Sequence, residues 1–445
     1  MSELSNRKVV VIGAGPAGLY AARGLAAAGV QVMLLNRDIK PGGLAEYGIF
    51  HNKYKMKQGL RKQFRTIMDI ANITYFGNVT IGLETCLTLQ AIRELGFDAI
   101  LVTVGAQGTK WLGLPGEDLA GVYHAKDLVY HYNRLPPYSE LDLEIGRQVA
   151  LVGAGNVMMD IAHWLIRDVK VDQVLAIVRR GPAEVKFDKK EIEMIAKNID
   201  LAALDDEFNR VAPTMEAVEQ DVAAAKEYIL AALPKALEPV SNTKFRFRFL
   251  SSPVQMLGDS EGAVNALELE DNTLILQNGD TKARGLGSKH TMAVDTVVFA
   301  IGDKVDDVFG LPVRWNEFVK HPEPRFPVDG FSYEAYDPET NQPIEGIFVA
   351  GWSREASSGL VGIARKDGEN GAQAILAYLQ TLPQKESESD PSQALANLLK
   401  DACYPIVTRE DLCRLEEFEQ AEAKRLNLDE FKLKSNEEML AVMGI

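Results

Sequence analysis

Val9-Val10-Val11-Ile12 runs directly into Gly13-Ala14-Gly15-Pro16-Ala17-Gly18, and the reading of this stretch decides the fold. Four consecutive apolar residues have no polar face, which suits a strand buried on both sides of a parallel sheet. Leu19 to Ala28 is rich in alanine and leucine and stops at Gly29, the pattern of a helix closed by a C-terminal glycine. Val30 to Leu35 supplies the next strand. The result is a β-α-β unit with its glycines where a bound dinucleotide requires them. Gly13 makes the tight turn, Gly15 lets a pyrophosphate reach the backbone, and Gly18 lets helix and strand pack closely. The N–H groups that open the helix then face the phosphate charge. Asn36 closes the second strand in place of the usual acid. Its amide can donate to and accept from a hydroxyl, so it is expected to contact a ribose.

The pattern recurs. Val149-Ala150-Leu151-Val152 is followed by Gly153-Ala154-Gly155-Asn156-Val157-Met158, then by a helical stretch from Met159 to Ile166 and a strand from Val174 to Val178. That strand ends in Arg179-Arg180 rather than in an acid. Arginine pairs bidentately with a 2′-phosphate that a carboxylate would repel, which favours NADP(H) over NAD(H). Met158 stands where glycine or alanine is usual, so the helix must shift outward or the flexible side chain must turn away. Two nucleotide sites in one chain, one for a flavin and one for a nicotinamide, make a hydride-transfer enzyme.

Composition sets outer limits. The 445 residues suffice for two or three domains. Lys and Arg number 48 against 63 Asp and Glu, and the net charge of −15 argues against a general binder of nucleic acid or membrane surfaces. The three cysteines, Cys86, Cys403 and Cys413, form no C-x-x-C pair. A disulfide scaffold, a cysteine-rich zinc site, an intrinsic iron–sulfur cluster and a redox dithiol are therefore excluded, and no metal site is expected. Met1 to Lys8 lacks the apolar stretch of a signal peptide, and no run is long and apolar enough to span a bilayer. The expected compartment is the reducing cytoplasm.

Further motifs follow in order: Gly105-Ala106, Leu112 to Val122, and His131-Tyr132-Asn133 between the two turns, with Phe76 to Gly82 before them. Arg179 to Pro182 with Phe187 and Glu191, Phe247 to Pro253, and Phe348-Val349-Ala350-Gly351-Trp352 with Ser358 to Val361 complete the series. On these residues the chain, from about residue 7 to 380, resembles the adrenodoxin reductase-like branch of ferredoxin–NADP⁺ reductases, a branch close to the glutamate synthase small subunit. The resemblance implies an α/β fold of two Rossmann-like dinucleotide-binding domains. A discontinuous FAD domain (1–104 and 305–383) would carry an inserted NADP domain (105–304), then a linker (384–393) and a helical C-terminal extension (394–445). It further implies FAD contacts at Ala17, Asn36, Leu44, Val79, Gly351, Trp352, Gly359, Leu360 and Val361. NADP contacts would fall on Ala154, Gly155, Asn156, Val157, Arg179, Arg180, Glu191 and Gly359, with Asp160 and Trp352 flanking the reacting rings. Two segments depart from the family. Gly48 to Lys53 places Lys53 where the family has histidine and moves His51 two positions upstream, and Ala356 to Gly359 replaces the family's Gly-Pro-Thr-Gly.

Hydride transfer needs no nucleophile and no metal, only the two rings held in near-attack geometry. Backbone N–H groups of a helix starting near Gly359 would stabilise charge on the reduced ring. Ala372, Ile375, Leu376 and Leu379 fall at helical spacing downstream. The natural electron partner is a ferredoxin or similar acidic carrier, which a chain of charge −15 would repel without a local basic patch. One candidate is Lys53, Lys55, Lys57, Arg61, Lys62 and Arg65, a stretch with no acid. A second is Arg246 and Arg248, alternating with Phe245, Phe247 and Phe249 as a half-buried strand with a basic outer face. The C-terminal extension shows no catalytic constellation, and the sequence does not choose between packing on the FAD domain and an interface. Two other functions stand beside the leading one: a nicotinamide-oxidising subunit of a larger complex, and a flavin-bound scaffold without activity.

Overall fold

The computed structural model describes residues 4–356, 359, 361–383, 390–400 and 405–445. The chain divides into two compact units. One is Met1–Thr109, Tyr130–Glu140 and Asp303–Ile445; the other is Lys110–Val129 and Leu141–Gly302. The borders expected at 104/105 and 304/305 thus fall a few residues away, and Tyr130–Glu140 returns to the first unit.

In the first unit, β1 (Lys8–Ile12), α1 (Pro16–Ala27), β2 (Gln31–Leu35), α2 (Tyr54–Met68), β3 (Ile73–Gly77) and β4 (Ala99–Val102) come in that order. The second unit contributes β5 (Val122–His124), β6 (Gln148–Val152), α3 (Asn156–Trp164), β7 (Gln173–Ile177), β8 (Lys244–Arg248) and β9 (Thr296–Phe299). The chain then returns with β10 (Glu334–Asp337), β11 (Gln342–Val349), α4 (Val361–Thr381), α5 (Pro391–Lys400), β12 (Val407–Thr408), α6 (Arg409–Arg425) and α7 (Asn436–Met443).

The first sheet has the order β10-β11-β4-β1-β2-β3-β12 and is parallel except at its two edge strands. Alternate residues of β1 enter different cores. Val9 and Val11 pack with Leu19, Leu25, Phe64, Ile375 and Leu415, while Val10 and Ile12 pack with Val79, Leu89, Val305 and Leu395. Both faces are covered, which is why Val9 to Ile12 include no polar residue. The second unit holds a wholly parallel sheet of order β5-β9-β6-β7-β8. It also holds an antiparallel three-stranded sheet over Ser251–Gly258, Val264–Gln277 and Asp280–Ala293.

The linker expected at 384–393 is shorter than its composition suggested. Residues 384–389 lie outside the described residues, but α5 starts at Pro391. Asp390 accepts from the Ser392 N–H at 2.8 Å, and proline at the first helical position loses no intrahelical bond. The extension packs on the first unit. β12 pairs with β3, and Val407, Leu412, Leu415, Met439 and Met443 are buried in the same core as β1. Of the cysteines, Cys86 is disulfide-bonded and Cys413 is a free, half-buried thiol; Cys403 lies outside the described residues.

Candidate functional site

Each sheet presents one glycine-rich turn. A Cβ on Gly13, whose φ is +107°, would lie 2.4 Å from the Thr103 carbonyl oxygen after β4. A Cβ on Gly153, at φ +146°, would meet the Ala300 carbonyl oxygen after β9 at 2.4 Å. Only glycine fits either place. At Gly15 and Gly155, which precede α1 and α3, a Cβ would meet nothing within 4 Å among the described residues. Neither helix start is capped by a side chain, whereas Thr88, Asp200, Asp221, Thr408 and Ser435 cap theirs. Open space beside unclaimed helix N–H groups is what a pyrophosphate fills, so both turns fit a bound dinucleotide.

The first turn is enclosed by its own unit. Gly42 donates to the Ala14 carbonyl at 2.8 Å, and a Cβ on Gly43 would lie 3.3 Å from the Gly15 Cα. Ala17 is packed from the other side, where a Cβ on Gly351 would reach 2.7 Å from its Cβ and one on Gly368 2.1 Å from its carbonyl oxygen. A Cβ on Gly18 would fall 1.9 Å from the Gly13 carbonyl oxygen, so this glycine brings α1 against the turn as expected. Asn36, expected at a ribose, is bonded to backbone on both sides of the turn. It is buried, its Oδ1 accepts from the Ala14 N–H at 2.9 Å, and its Nδ2 donates to the carbonyls of Asp38 and Lys40 at 2.8 and 3.0 Å. Both amide protons are spent on backbone, so the side chain ties the turn to the loop after β2. Val79 is buried and donates its N–H to the Asn36 carbonyl at 2.9 Å, while Leu44 is half-buried in the turn that follows Gly43.

Trp352 is half-buried in the short turn Gly351–Ser353. Asp367 of α4 accepts from the Gly351 N–H at 2.6 Å and binds Tyr333 and Arg354, and the buried Ser353 hydroxyl accepts from the Gly105 N–H at 3.0 Å. The turn is thereby held at both ends. α4 opens at Val361, just after Gly359; Leu360, Ser357 and Ser358 lie outside the described residues. Sequence reasoning missed Asp367, whose only signal was an acid within an otherwise small-residue helix face.

The second turn stands more open. Val157 is 46% exposed, and Ala154, Gly155 and Asn156 are half-exposed. Lys186 donates its N–H to the Ala154 carbonyl at 2.8 Å, and Asn156 and Asp188 exchange two hydrogen bonds, of 2.9 and 2.7 Å. Arg179 is exposed and Arg180 half-exposed, and among the described residues neither guanidinium has an ion pair. Glu191 is half-buried on the short helix Lys189–Glu193, and Asp160 is half-buried on α3. Met158 is fully buried, so its side chain has turned into the core rather than across the open side of the turn. Asp160 and Trp352 belong to different units.

The basic residues expected to dock a carrier are mostly engaged within the chain. Lys57 is buried, with its Nζ 2.5 Å from the Asn133 Oδ1. Arg61 grips both oxygens of Glu46 at 2.6 Å and reaches Glu430 at 2.5 Å; Arg65 pairs with Glu416 at 2.7 Å. Arg246 pairs with Asp200 at 2.8 Å and Arg248 with Asp271 at 2.9 Å. Lys53 is half-buried, and Lys55 and Lys62 alone of the first run are exposed. The acids that neutralise α2 come largely from the C-terminal extension, hundreds of residues away. Burial, with Lys432 close by, pushes the Lys57 ammonium down to about 7 against the pull of Glu430 and Glu46. Burial alone would raise the Glu46 carboxyl, but Lys432 and Arg61 hold it well below the usual range.

Comparisons with known proteins agree with this picture. Residues 7–227 match the family model described as pyridine nucleotide-disulphide oxidoreductase. The chain is 26% identical over 475 residues to an NADPH-ferredoxin reductase FprA of Mycobacterium leprae, covering 98% of each. It is 28% identical over 476 residues to a mitochondrial NADPH:adrenodoxin oxidoreductase of Salvelinus fontinalis, covering 98% of this chain and 90% of that one. A solved structure of Mycobacterium tuberculosis FprA in complex with NADPH shares the fold, with a TM-score of 0.82 at 24% identity over 99% of this chain and 100% of that one. Residues 7–227 thus match a pyridine nucleotide-disulphide oxidoreductase domain, and nearly the whole chain is similar to the NADPH-ferredoxin and NADPH:adrenodoxin reductases.

Proposed function

We propose that the protein is an FAD-dependent oxidoreductase that moves electrons between NADP(H) and a ferredoxin-type one-electron carrier. FAD is assigned to the Gly13–Gly18 turn and NADP(H) to Gly153–Val157. The observation that carries this reading is the pair of helix starts without side-chain caps behind glycine turns, the second with two arginines at the end of the neighbouring strand that have no ion pair among the described residues. When bound, FAD accepts hydride from a nicotinamide and can release the electrons singly. The residues of the chain bind and orient. The N–H groups at Ala17 and Gly18 face the flavin pyrophosphate, and Leu44 and Val79 line its path. Trp352, on a turn fixed by Asp367 and Ser353, and the helix start at Gly359 and Val361 border the reacting ring. Arg179 and Arg180 take the 2′-phosphate, Glu191 lies on the same nucleotide, and Asp160 borders the nicotinamide.

The names of the relatives support a ferredoxin or adrenodoxin class of partner. The chain has no C-x-x-C pair of the kind that serves as a redox dithiol, so the electrons are assigned to an external carrier. Among the described residues no helix is long and apolar enough to cross a membrane. A cytoplasmic location is part of the proposal, and the redox state of Cys86 in fresh cell extract is its direct test.

The deciding experiment is anaerobic titration of the purified, yellow protein with NADPH and, separately, NADH. Stoichiometric bleaching by NADPH at far lower concentration than by NADH is expected. Failure to bleach with either nucleotide would leave a flavin-binding scaffold instead.

A further inference from the structure

The C-terminal segment places one ammonium deep in the first unit. The Lys432 side chain is 4% exposed, and its Nζ lies 2.7 Å from the Glu46 Oε1 and 3.2 Å from the backbone carbonyls of both Glu46 and Asn133. All three donors of the ammonium therefore have acceptors, and the charge sits 4.9 Å from the centroid of the Tyr47 ring. Glu46, 3% exposed at its side chain, is in the helical turn Leu44–Tyr47. That turn follows directly on Gly42 and Gly43, the two residues that close over Ala14 and Gly15. Arg61 also holds the Glu46 carboxylate, while Lys432 ties the backbone of this turn to the backbone at Asn133. The charged groups around Lys432 are Glu46 and Glu430, with Arg61, Lys40 and Lys57 opposing them.

We propose that Lys432 is a positioning residue of the first dinucleotide site: it pins the Gly42–Tyr47 turn against the Gly13–Gly18 turn and so fixes the wall that the bound flavin faces. The proposal rests on the reading that the first turn takes FAD. It also gives the C-terminal extension a task that its own sequence does not display. The extension acts through a residue 386 positions away in the chain.

The experiment compares full-length Lys432→Met with Met443→Ala. Met443 is 1% exposed in the same core and its side chain makes no polar contact with Glu46, so its truncation loosens the extension without touching the turn. FAD dissociation is read from flavin fluorescence on dilution of the holoprotein, beside the flavin absorption band and the melting temperature. Lys432→Met should weaken FAD binding at least about tenfold and shift the absorption band. Met443→Ala, at a comparable loss of melting temperature, should keep FAD affinity within about twofold. If Lys432→Met does not fold, Lys432→Gln is judged by the same criteria. FAD affinity unchanged in the Lys432 variant, or equally reduced in both, would overturn the proposal. A wild-type protein that binds no FAD would overturn the assignment of the site and this inference with it.

Discussion

At Gly13 and at Gly153 the chain solves one steric problem twice, each glycine backing onto a carbonyl oxygen that any side chain would strike at 2.4 Å. Beyond the turns the two regions diverge. The first is wrapped by the Gly42-Gly43 loop, by Gly351 and Gly368, and by an Asn36 whose amide protons are spent on backbone. The second leaves Val157 46% exposed and ends its neighbouring strand in two arginines that have no ion pair among the described residues. Enclosure by many chain segments suits a ligand that stays, because each segment adds contact while the opening of several is needed for release. Exposed, unpaired cations suit a ligand that comes and goes, since they attract an anion from solution and lose no internal partner when it leaves. In the proposed cycle FAD is resident and NADP(H) is exchanged, and the two surroundings differ in that sense.

The largest expected effect is at the open end. Arg179→Ala with Arg180→Ala removes two charge-assisted contacts to a 2′-phosphate, each worth about 1.5–3 kcal/mol. NADPH affinity should fall by about a hundredfold or more while NADH affinity and the melting temperature stay nearly unchanged. Equal losses for both nucleotides, measured by anaerobic titration, would mean that the pair does not read the phosphate. A drop in melting temperature would mean that these arginines have structural partners, and the contrast between the two regions would be lost.

Next comes the open space itself. Gly15→Ala and Gly155→Ala add a Cβ where the described residues leave nothing within 4 Å, at φ angles of −74° and −108° that alanine adopts freely. Folding should be unaffected or slightly favoured, because alanine restricts the unfolded chain. Gly15→Ala should weaken FAD by about tenfold with NADPH binding spared, and Gly155→Ala should do the reverse. A variant that binds both nucleotides normally would show that the space beside its glycine is not the pyrophosphate's.

How much of this the sequence carried depends on the range of the interaction. The β-α-β units were legible because apolar strands and turn glycines are local signals, set within a dozen residues of one another. Arg179 and Arg180 were legible for the same reason: their place follows from strand length. At Asn36 residue type and position suggested a ribose contact; its partners in the chain are backbone groups, whose direction depends on how the loop to Gly42 folds back and so left no local signal. In the basic run Lys53 to Arg65, the internal partners of Lys57, Arg61 and Arg65 left no local signal. Charge patterning along one helix shows what the helix offers but not what covers it, and Glu416 and Glu430 lie more than 300 residues downstream. With 63 acids in the chain, a basic helix finds internal partners unless something keeps them away. The small effect of that covering on any carrier now turns on Lys55 and Lys62, the two cations of the run still exposed.

The enclosure of the first region also predicts a pH dependence, smaller than the effects above. Lys57 is buried beside Asn133 and near Lys432, and its ammonium titrates at about 7 in the folded chain against 10.5 when unfolded. Between these values the unfolded chain binds the proton and the folded chain does not, so stability rises with pH across the window and is flat below it. From pH 7 to pH 8 the gain from this one group is about 1 kcal/mol. Lys57→Met removes the group while filling similar space, so its stability should lack that rise. Chemical denaturation of both proteins at the two pH values measures the difference. Parallel behaviour of wild type and variant would show that Lys57 meets water or a carboxylate in solution, and that the wall around the first turn is looser than its packing indicates.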